Sequence, residues 1–217
     1  MTTTLKSQSQ EIPGSIAKPR FETFSQRWEP VPFTDTEKPR GCAGDGERIL
    51  AAAVQILTEG EDLLRAITLE RYTKRVPLAF NGSIGGHYRH CLDHFTSLVR
   101  ALESDEVDYD RRERDPRIET EPSFALNLTR QMREHLQQLT SEDLAKPVRT
   151  RCEVSYMHGD SPLTVSTYGR ELVYAIAHAI HHYALISVMA RLLEVVLPLH
   201  FGVAPSTVAH QSAIKAL

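Results

Sequence analysis

Six of the ten histidines in this 217-residue chain fall in two short clusters with helical spacing. An α-helix turns about 100° per residue, so positions three or four apart lie on one face. Each cluster therefore predicts a helix with histidines along one side. The first cluster holds His87, His90 and His94, and the second holds His178, His181 and His182, of which His181 is expected to point aside.

Two imidazoles at i and i+4 can bind one divalent metal ion, and a third from another helix leaves a coordination position open. A single histidine on a helix face is more often an ordinary core or surface residue. Two clusters on separate helices favour the metal site over that simpler interpretation. The site then requires the two helices to be neighbours, which limits the folds that the chain can adopt.

Composition bounds the class of protein. With 41% hydrophobic residues, the chain is long enough for one well-buried core. Its net charge is −3, with acidic and basic residues interspersed, so we expect neither a nucleic-acid partner nor a membrane partner. The cysteines Cys42, Cys91 and Cys152 form no CxxC pair, which favours reduced thiols. Residues 1–10 lack the apolar core of a signal peptide, and we expect a cytoplasmic protein.

Apolar residues at mixed three- and four-residue spacing predict four long helices, near residues 47–73, 83–104, 121–140 and 168–196. Gly60 predicts a kink or break in the first helix, and Ser83 is the expected N-cap of the second. The most apolar stretch, 172–201, is interrupted by histidines and two charged residues, which is typical of a buried helix and not of a membrane span. The predicted fold is an all-α four-helix bundle over residues 46–200.

The two ends and the connections have their own patterns. Residues 1–45 carry five of the twelve prolines and predict an extended segment, and 201–217 predict an irregular tail. Four aromatics of the N-terminal segment are costly to leave in water, so we expect the segment to pack on the body or on a second copy, giving a homodimer. These aromatics are Phe21, Phe24, Trp28 and Phe33.

Two further segments stand between the predicted helices. The densely charged run 106–119 predicts a solvated loop, although its arginines in 111–117 could recognise a carboxylate or phosphate. Alternation of Cys152, Val154 and Tyr156 predicts a small β-hairpin formed by 151–156 and 163–167.

The chain resembles the DinB/YfiT-like superfamily of metalloenzymes over roughly residues 46–200. The resemblance rests on the segment 83–95, which reads SIGGHYRHCLDHF, on Gly169-Arg170-Glu171-Leu172, and on His178-x-x-x-His182. It implies a four-helix bundle that binds zinc, nickel or a similar ion through one histidine of the second helix and an HxxxH pair of the fourth. Carried over, the pair is His178 and His182, and His90 matches the remaining ligand best. His87 and His94 share its face and stay open as alternatives.

The resemblance implies several activities, among them thiol-dependent transfer with low-molecular-weight thiols. A three-histidine metal with an open position is compatible with hydrolysis or thiol transfer on a small molecule. Glu171 and Asp93 are the candidate acid/base residues, although a position near the helix N-terminus for Glu171 and support of a ligand imidazole for Asp93 are the favoured interpretations. Tyr174 is expected in the core, and Cys91 is expected to be a buried, inert thiol. The alternative is a non-catalytic metal- or ligand-binding helical bundle.

Overall fold

The computed structural model describes residues 44–156 and 160–215, which are mostly helical. The helices of this part are α1 (Asp45–Ala66), α2 (Leu69–Thr73), α3 (Ile84–Ser104), α4 (Pro116–Thr120), α5 (Pro122–Leu136), α6 (Ser141–Leu144), α7 (Tyr168–Leu192) and α8 (Pro205–Lys215). The strands are β1 (Glu106–Asp108), β2 (Pro147–Arg151) and β3 (Leu163–Thr167). The all-α expectation is therefore corrected to a mostly helical fold with a small sheet.

The four longest helices form the core. α1 contacts α5 and α7, and α3 contacts α5 and α7, so each long helix has two long neighbours. Their inward faces are apolar: Leu57 and Leu63 of α1, Leu92 of α3 and Leu172 of α7 are almost completely buried. Burial of such apolar surface is the main stabilising contribution to a helical core. The pairing of α3 with α7 brings the two histidine-bearing helices side by side.

The two histidine-bearing helices begin where the sequence predicts. The Ser83 hydroxyl accepts a hydrogen bond of 3.0 Å from the Gly86 amide, which confirms Ser83 as the N-cap of α3. Thr167 caps α7 in the same way, accepting from the Arg170 amide at 3.2 Å. Because a cap fixes the first turn, it also fixes which residues face the core further along. α7 ends at Leu192, a few residues earlier than the predicted end near 196.

The prediction that Gly60 breaks the first helix is wrong. α1 runs without interruption to Ala66, and the break comes at the extended residue Ile67, before the separate short helix α2. Gly60 is buried, and a Cβ there would collide with the hydroxyl groups of Tyr88 on α3 and Tyr183 on α7. The residue therefore allows three helices to approach closely within an unbroken α1.

The charged run 106–119 is not simply a solvated loop. It contains β1 and α4, and three of its apolar side chains, Val107, Tyr109 and Ile118, are buried. Four of its ten charged side chains are exposed, and the other six are partly buried. The error arises because three buried residues among many charged ones produce little periodic signal.

The sheet has the order β1-β2-β3. β1 is parallel to β2, with Val107 beside Thr150, and β2 is antiparallel to β3, with Arg149 beside Val165. The first strand of the predicted hairpin is therefore misplaced: it is Pro147–Arg151 and not 151–156. Val154 and Tyr156 are exposed, so their alternation has no sheet face to pack on.

The C-terminal region differs from prediction as well, because α8 replaces the expected irregular tail. The predicted extended segment 1–45, with Phe21, Phe24, Trp28 and Phe33, lies outside the described residues except for its last two positions. The homodimer that rested on these aromatics stays a prediction.

α7 is long and apolar enough to cross a membrane by length and composition alone, with a mean hydropathy of 1.4 over its most apolar window. A core helix of a soluble protein meets the same criteria. α7 packs on α1 and α3 and carries three histidines, which favours its role as the central helix of the core.

Substitution of Gly60 by alanine tests the close approach of the helices. The Tyr88 hydroxyl is hydrogen-bonded to Thr129 and the Tyr183 hydroxyl donates to the Ile56 carbonyl, so neither ring can move away freely. We expect Gly60→Ala to lower the free energy of unfolding by about 1–2 kcal/mol in urea titrations, because an overpacking cost of up to about 3 kcal/mol outweighs the gain of about 1 kcal/mol in helix propensity.

The control repeats the substitution in a protein that carries Tyr88→Phe and Tyr183→Phe, which together remove both obstructing oxygens. Gly60→Ala should be clearly less destabilising there than in the wild-type protein, because the two sites are coupled. A Gly60→Ala protein as stable as the wild type would contradict this account of the glycine.

Candidate metal centre

Five imidazoles from α3 and α7 converge between the two helices and are called the histidine cluster below. The His90 ring centroid lies 4.9 Å from that of His178 and 4.6 Å from that of His182. The centroids of His178 and His182 are 4.6 Å apart. The three histidines expected as ligands are thus mutual neighbours. The cluster consists of His87, His90, His94, His178 and His182, while His181 is exposed on the outer side of α7.

The tightest grouping of possible ligand atoms is slightly different. One ring nitrogen from each of His90, His94 and His178 lies within 4.8 Å of the other two. The Nε2 atom of His178 is buried and has no hydrogen-bond partner among the described residues. A buried polar atom without a partner is uncommon, and a metal ion is one of the groups that would satisfy it. The donor set therefore fits a divalent metal.

His94 is engaged on both of its nitrogens. Its Nδ1 lies 2.8 Å from the His90 carbonyl oxygen, so Nδ1 carries the proton and donates it. A guanidinium nitrogen of Arg112, Nη1, lies 3.2 Å from Nε2 of His94 and 3.3 Å from Nδ1. Because a guanidinium can only donate, the Nε2 lone pair of His94 is the natural acceptor.

His182 and His87 contact each other through their Nδ1 atoms, which are 3.0 Å apart. One of the two must donate and the other accept. If His182 donates, its Nε2 carries a lone pair and is available as a ligand, with His87 as the outer group that fixes its tautomer. With that tautomer, His87 is in a position to support His182 from outside the set of ligands.

Neither predicted acid/base residue reaches the histidine cluster directly in the contacts that the structure describes. Glu171 is 7% exposed and accepts a hydrogen bond of 2.9 Å from the Tyr109 hydroxyl. Tyr109 in turn stacks on His94, with ring centroids 5.1 Å apart. Asp93 is buried, with one oxygen 4.0 Å from Arg89, and burial raises the pKa of its carboxyl although nearby arginines oppose the shift.

Two other residues singled out in the sequence have clear environments. Tyr174 is half-buried beside the cluster, with its ring centroid 5.8 Å from that of His178, so it lines the site in addition to packing. Cys91 is buried, and burial raises the pKa of its thiol well above the ordinary value. That environment agrees with the inert thiol expected from the sequence.

The sequence reasoning missed Arg112 and Tyr109 as parts of the site. Both follow β1, whose pairing with β2 holds this segment against α3. The charged run predicts arginines that could bind an anion, but nothing in their spacing indicates that Arg112 faces the histidines. The apolar pair Val107 and Tyr109, two positions apart within a charged run, was the available sign of a short strand.

Burial keeps the four central imidazoles neutral. It is the largest cause that lowers the pKa of His90 to about 2, of His94 and His182 to about 3, and of His178 to about 4. The positive charge of Arg112 contributes to each of these shifts. Neutral imidazole is the form that binds a metal, so the environment favours the ligand state of the cluster.

A groove of about 320 Å³ reaches the cluster from the surface. Its walls consist of the start of α3 and of side chains of both charges. Two of these form an ion pair, in which the Nε atom of Arg89 lies 3.1 Å from a carboxylate oxygen of Glu119. The groove gives a small molecule a route to the histidines. Its side-chain lining includes Arg75, His87, Arg89, His90, Glu119 and His182.

Comparison with known proteins places the chain in a family. A family model described as the DinB superfamily matches residues 52–186. Among curated proteins, FK506-binding protein 5 of Rhizopus delemar is 31% identical over 104 residues, which are 48% of this chain and 27% of that protein. The chain thus covers only about a quarter of this relative. No solved structure gives a significant match.

The lowered pKa values predict acid sensitivity of the metal-free protein. Above the ordinary pKa of about 6.5 both folded and unfolded chains hold neutral imidazoles. As the pH falls below 6.5, the histidines of the unfolded chain bind protons, whereas those of the folded cluster stay neutral. The free energy of unfolding therefore decreases progressively as the pH falls toward 4. We expect the urea midpoint to fall already between pH 6.5 and 5, before most carboxylates titrate.

In the His94→Gln variant the urea midpoint should decline less steeply in that pH window. The reason is that the substitution removes one histidine whose pKa is lower in the folded chain than in the unfolded chain. His210→Gln, at an exposed position of α8, is the control and should follow the wild type. A midpoint that stays constant from pH 7 to 5 would contradict the description of the imidazoles as neutral.

Proposed function

The chain belongs to the DinB superfamily, and on that premise we propose that it is a divalent-metal-dependent enzyme acting on a small molecule by hydrolysis or thiol transfer. We also propose that its four long helices form the four-helix bundle expected of that superfamily. The observation that carries the proposal is the convergence of imidazoles from α3 and α7 around the unpartnered, buried Nε2 of His178.

In this proposal His90, His178 and His182 hold the metal, with zinc or nickel the expected ions. A divalent ion on three imidazoles with an open position supplies a Lewis acid that lowers the pKa of a bound water or thiol. Support comes from ring centroids of the three residues that lie 4.6–4.9 Å apart. Neutral imidazoles on two packed helices are also suited to bind without a large rearrangement.

His182 is preferred to His94 as the third ligand on physical grounds. The lone pair of His94 faces the Arg112 guanidinium, and a second cation bound to the same nitrogen would have to displace it. His94 is nevertheless the member that groups most tightly with His90 and His178. The two sets make different predictions for single substitutions, so the choice is open to direct measurement.

The remaining side chains have proposed tasks around the histidines. The groove admits the substrate on the side of His90 and His182, where Arg89 and Glu119 form its wall. Glu171 accepts a hydrogen bond from the Tyr109 hydroxyl and holds that ring against His94, so its first task is positioning. Asp93, whose carboxyl has a raised pKa, is the candidate to carry a proton.

A second candidate function is a non-catalytic metal- or ligand-binding helical bundle. The observation that favours it is the engagement of both candidate carboxylates: Glu171 with Tyr109, and Asp93 in a buried position near Arg89. An enzyme of the proposed kind needs an exchangeable position beside the metal, whereas a binding protein does not. Exchange of a ligand at the metal therefore separates the two functions.

Metal analysis tests the proposal. Wild-type protein dialysed against zinc, nickel or cobalt and then against buffer should retain about one equivalent of metal, measured by plasma mass spectrometry. His178→Ala/His182→Ala should retain almost none, because two of three ligands are lost, while the exposed control His210→Ala should match the wild type. Full retention of metal by the double variant would refute the assignment of these ligands.

Single variants decide between the two ligand sets. We expect His182→Ala to lose metal and His94→Ala to retain it. The reverse result would assign the site to His90, His94 and His178. In cobalt-loaded wild-type protein, a change in the visible spectrum on addition of 2-mercaptoethanol would indicate an exchangeable position and support the enzyme. An unchanged spectrum would favour the non-catalytic function.

A further inference from the structure

Arg112 places a guanidinium group against the histidine cluster without a matching negative charge. Its Nη1 atom contacts both ring nitrogens of His94 at 3.2 and 3.3 Å, and its Nε atom is buried and has no hydrogen-bond partner. Within residues 44–156 and 160–215, no ion pair within 4.0 Å joins Arg112 to a carboxylate. An arginine that is half-buried in this way usually has an anionic partner.

The nearest acidic residues do not supply that partner. Asp93 and Asp110 act on Arg112 electrostatically, but from beyond ion-pair distance. Asp110 already accepts a hydrogen bond of 2.6 Å from the Ser161 hydroxyl, and another of 2.9 Å from a backbone amide. Asp93 is buried beside Arg89. These two acids therefore favour the charged guanidinium from a distance, but neither forms an ion pair with it.

The positive charges around Arg112 increase the imbalance. Arg89 and Arg114 are close enough to disfavour its charged form, and burial is the largest cause that lowers the pKa of Arg112. A bound divalent metal would add to this positive field. An anion arriving from outside is what the local electrostatics lack.

We propose that Arg112 binds the carboxylate of a small-molecule substrate and holds that substrate beside the histidine cluster. A carboxylate suits the flat guanidinium fork, because two N–H groups donate to its two oxygens, and the unpartnered Nε is one such donor. The Tyr109 and Tyr174 rings, which pack on each other and on His94, offer the adjoining organic part of the substrate an aromatic wall. The identification of the bound anion as a substrate rests on the proposed function, whereas the anion site itself does not.

Acetate is the probe for the anion site, and metal-free protein is used first. Acetate should shift the ¹⁵N-resolved Nε–H signal of Arg112, which is identified by its absence in Arg112→Gln, whereas the neutral isostere acetamide should not. Arg111→Gln, at a 90% exposed position of the same segment, is the control and should leave the Arg112 shift unchanged. Absence of an acetate shift in the wild type would overturn the proposal, whatever the metal does.

A second experiment measures how tightly 3-mercaptopropionate and 2-mercaptoethanol bind to cobalt-loaded protein, in the wild type and in variants of Arg112. Wild type should prefer the thiol that carries a carboxylate by about tenfold or more, in line with a charge-assisted bidentate pair. Arg112→Gln should lose that preference while retaining its metal, and Arg112→Lys should keep only part of it. An equal preference in wild type and Arg112→Gln would overturn the proposal.

Metal retention separates this inference from the proposed function. If the wild type binds no metal but acetate shifts the Arg112 signal, the metal-dependent function fails and the anion site stands. If metal is retained and acetate has no effect at Arg112, the anion site fails and the metal centre stands. Urea midpoints of the Arg112 variants, measured alongside, identify any that lose binding through unfolding.

Discussion

The contact on which the rest of the site depends is the meeting of α1, α3 and α7 at Gly60. Tyr88 and Tyr183 reach toward this glycine from α3 and α7, and each follows a histidine of the cluster by one position. Neighbouring residues on a helix point about 100° apart, so fixing the tyrosines toward α1 turns His87 and His182 toward the groove. The same contact sets the position of α3 along the axis of α7. That position decides whether the imidazoles of one helix lie level with those of the other.

A second consequence of this packing is electrostatic. The helices enclose four neutral imidazoles, whose pKa values burial lowers far below 6.5. A protein core tolerates such polar groups when each nitrogen has a partner, which is why the unpartnered Nε2 of His178 is informative. Protons and Arg112 therefore compete for the lone pairs that a metal ion would need. The fold disfavours the protons and places Arg112 in contact with His94, while His182 contacts His87.

How much of this could be predicted from sequence depends on the range over which each signal acts. The α3 cap at Ser83 and the sharing of one face by His90 and His94 are local properties of one helix, and they follow from spacing. Gly60 was misinterpreted because helix propensity is local, whereas its role depends on tyrosines from two other helices. The strand at 147–151 was missed for the same reason, since its burial is created by partners distant in sequence.

The position of Arg112 shows why the small sheet matters to a mostly helical site. Without β1, the segment after α3 would be a charged loop free to keep its arginines in water. Pairing of Val107 with Thr150 anchors that segment, and burial of Tyr109 turns the chain so that the following residues return toward α3. The Tyr109 hydroxyl is then fixed by Glu171 at the start of α7. Three distant parts of the chain thus hold one guanidinium at the histidines. Holding a charged group there costs desolvation free energy, and that cost is easiest to understand if the guanidinium has a ligand to bind.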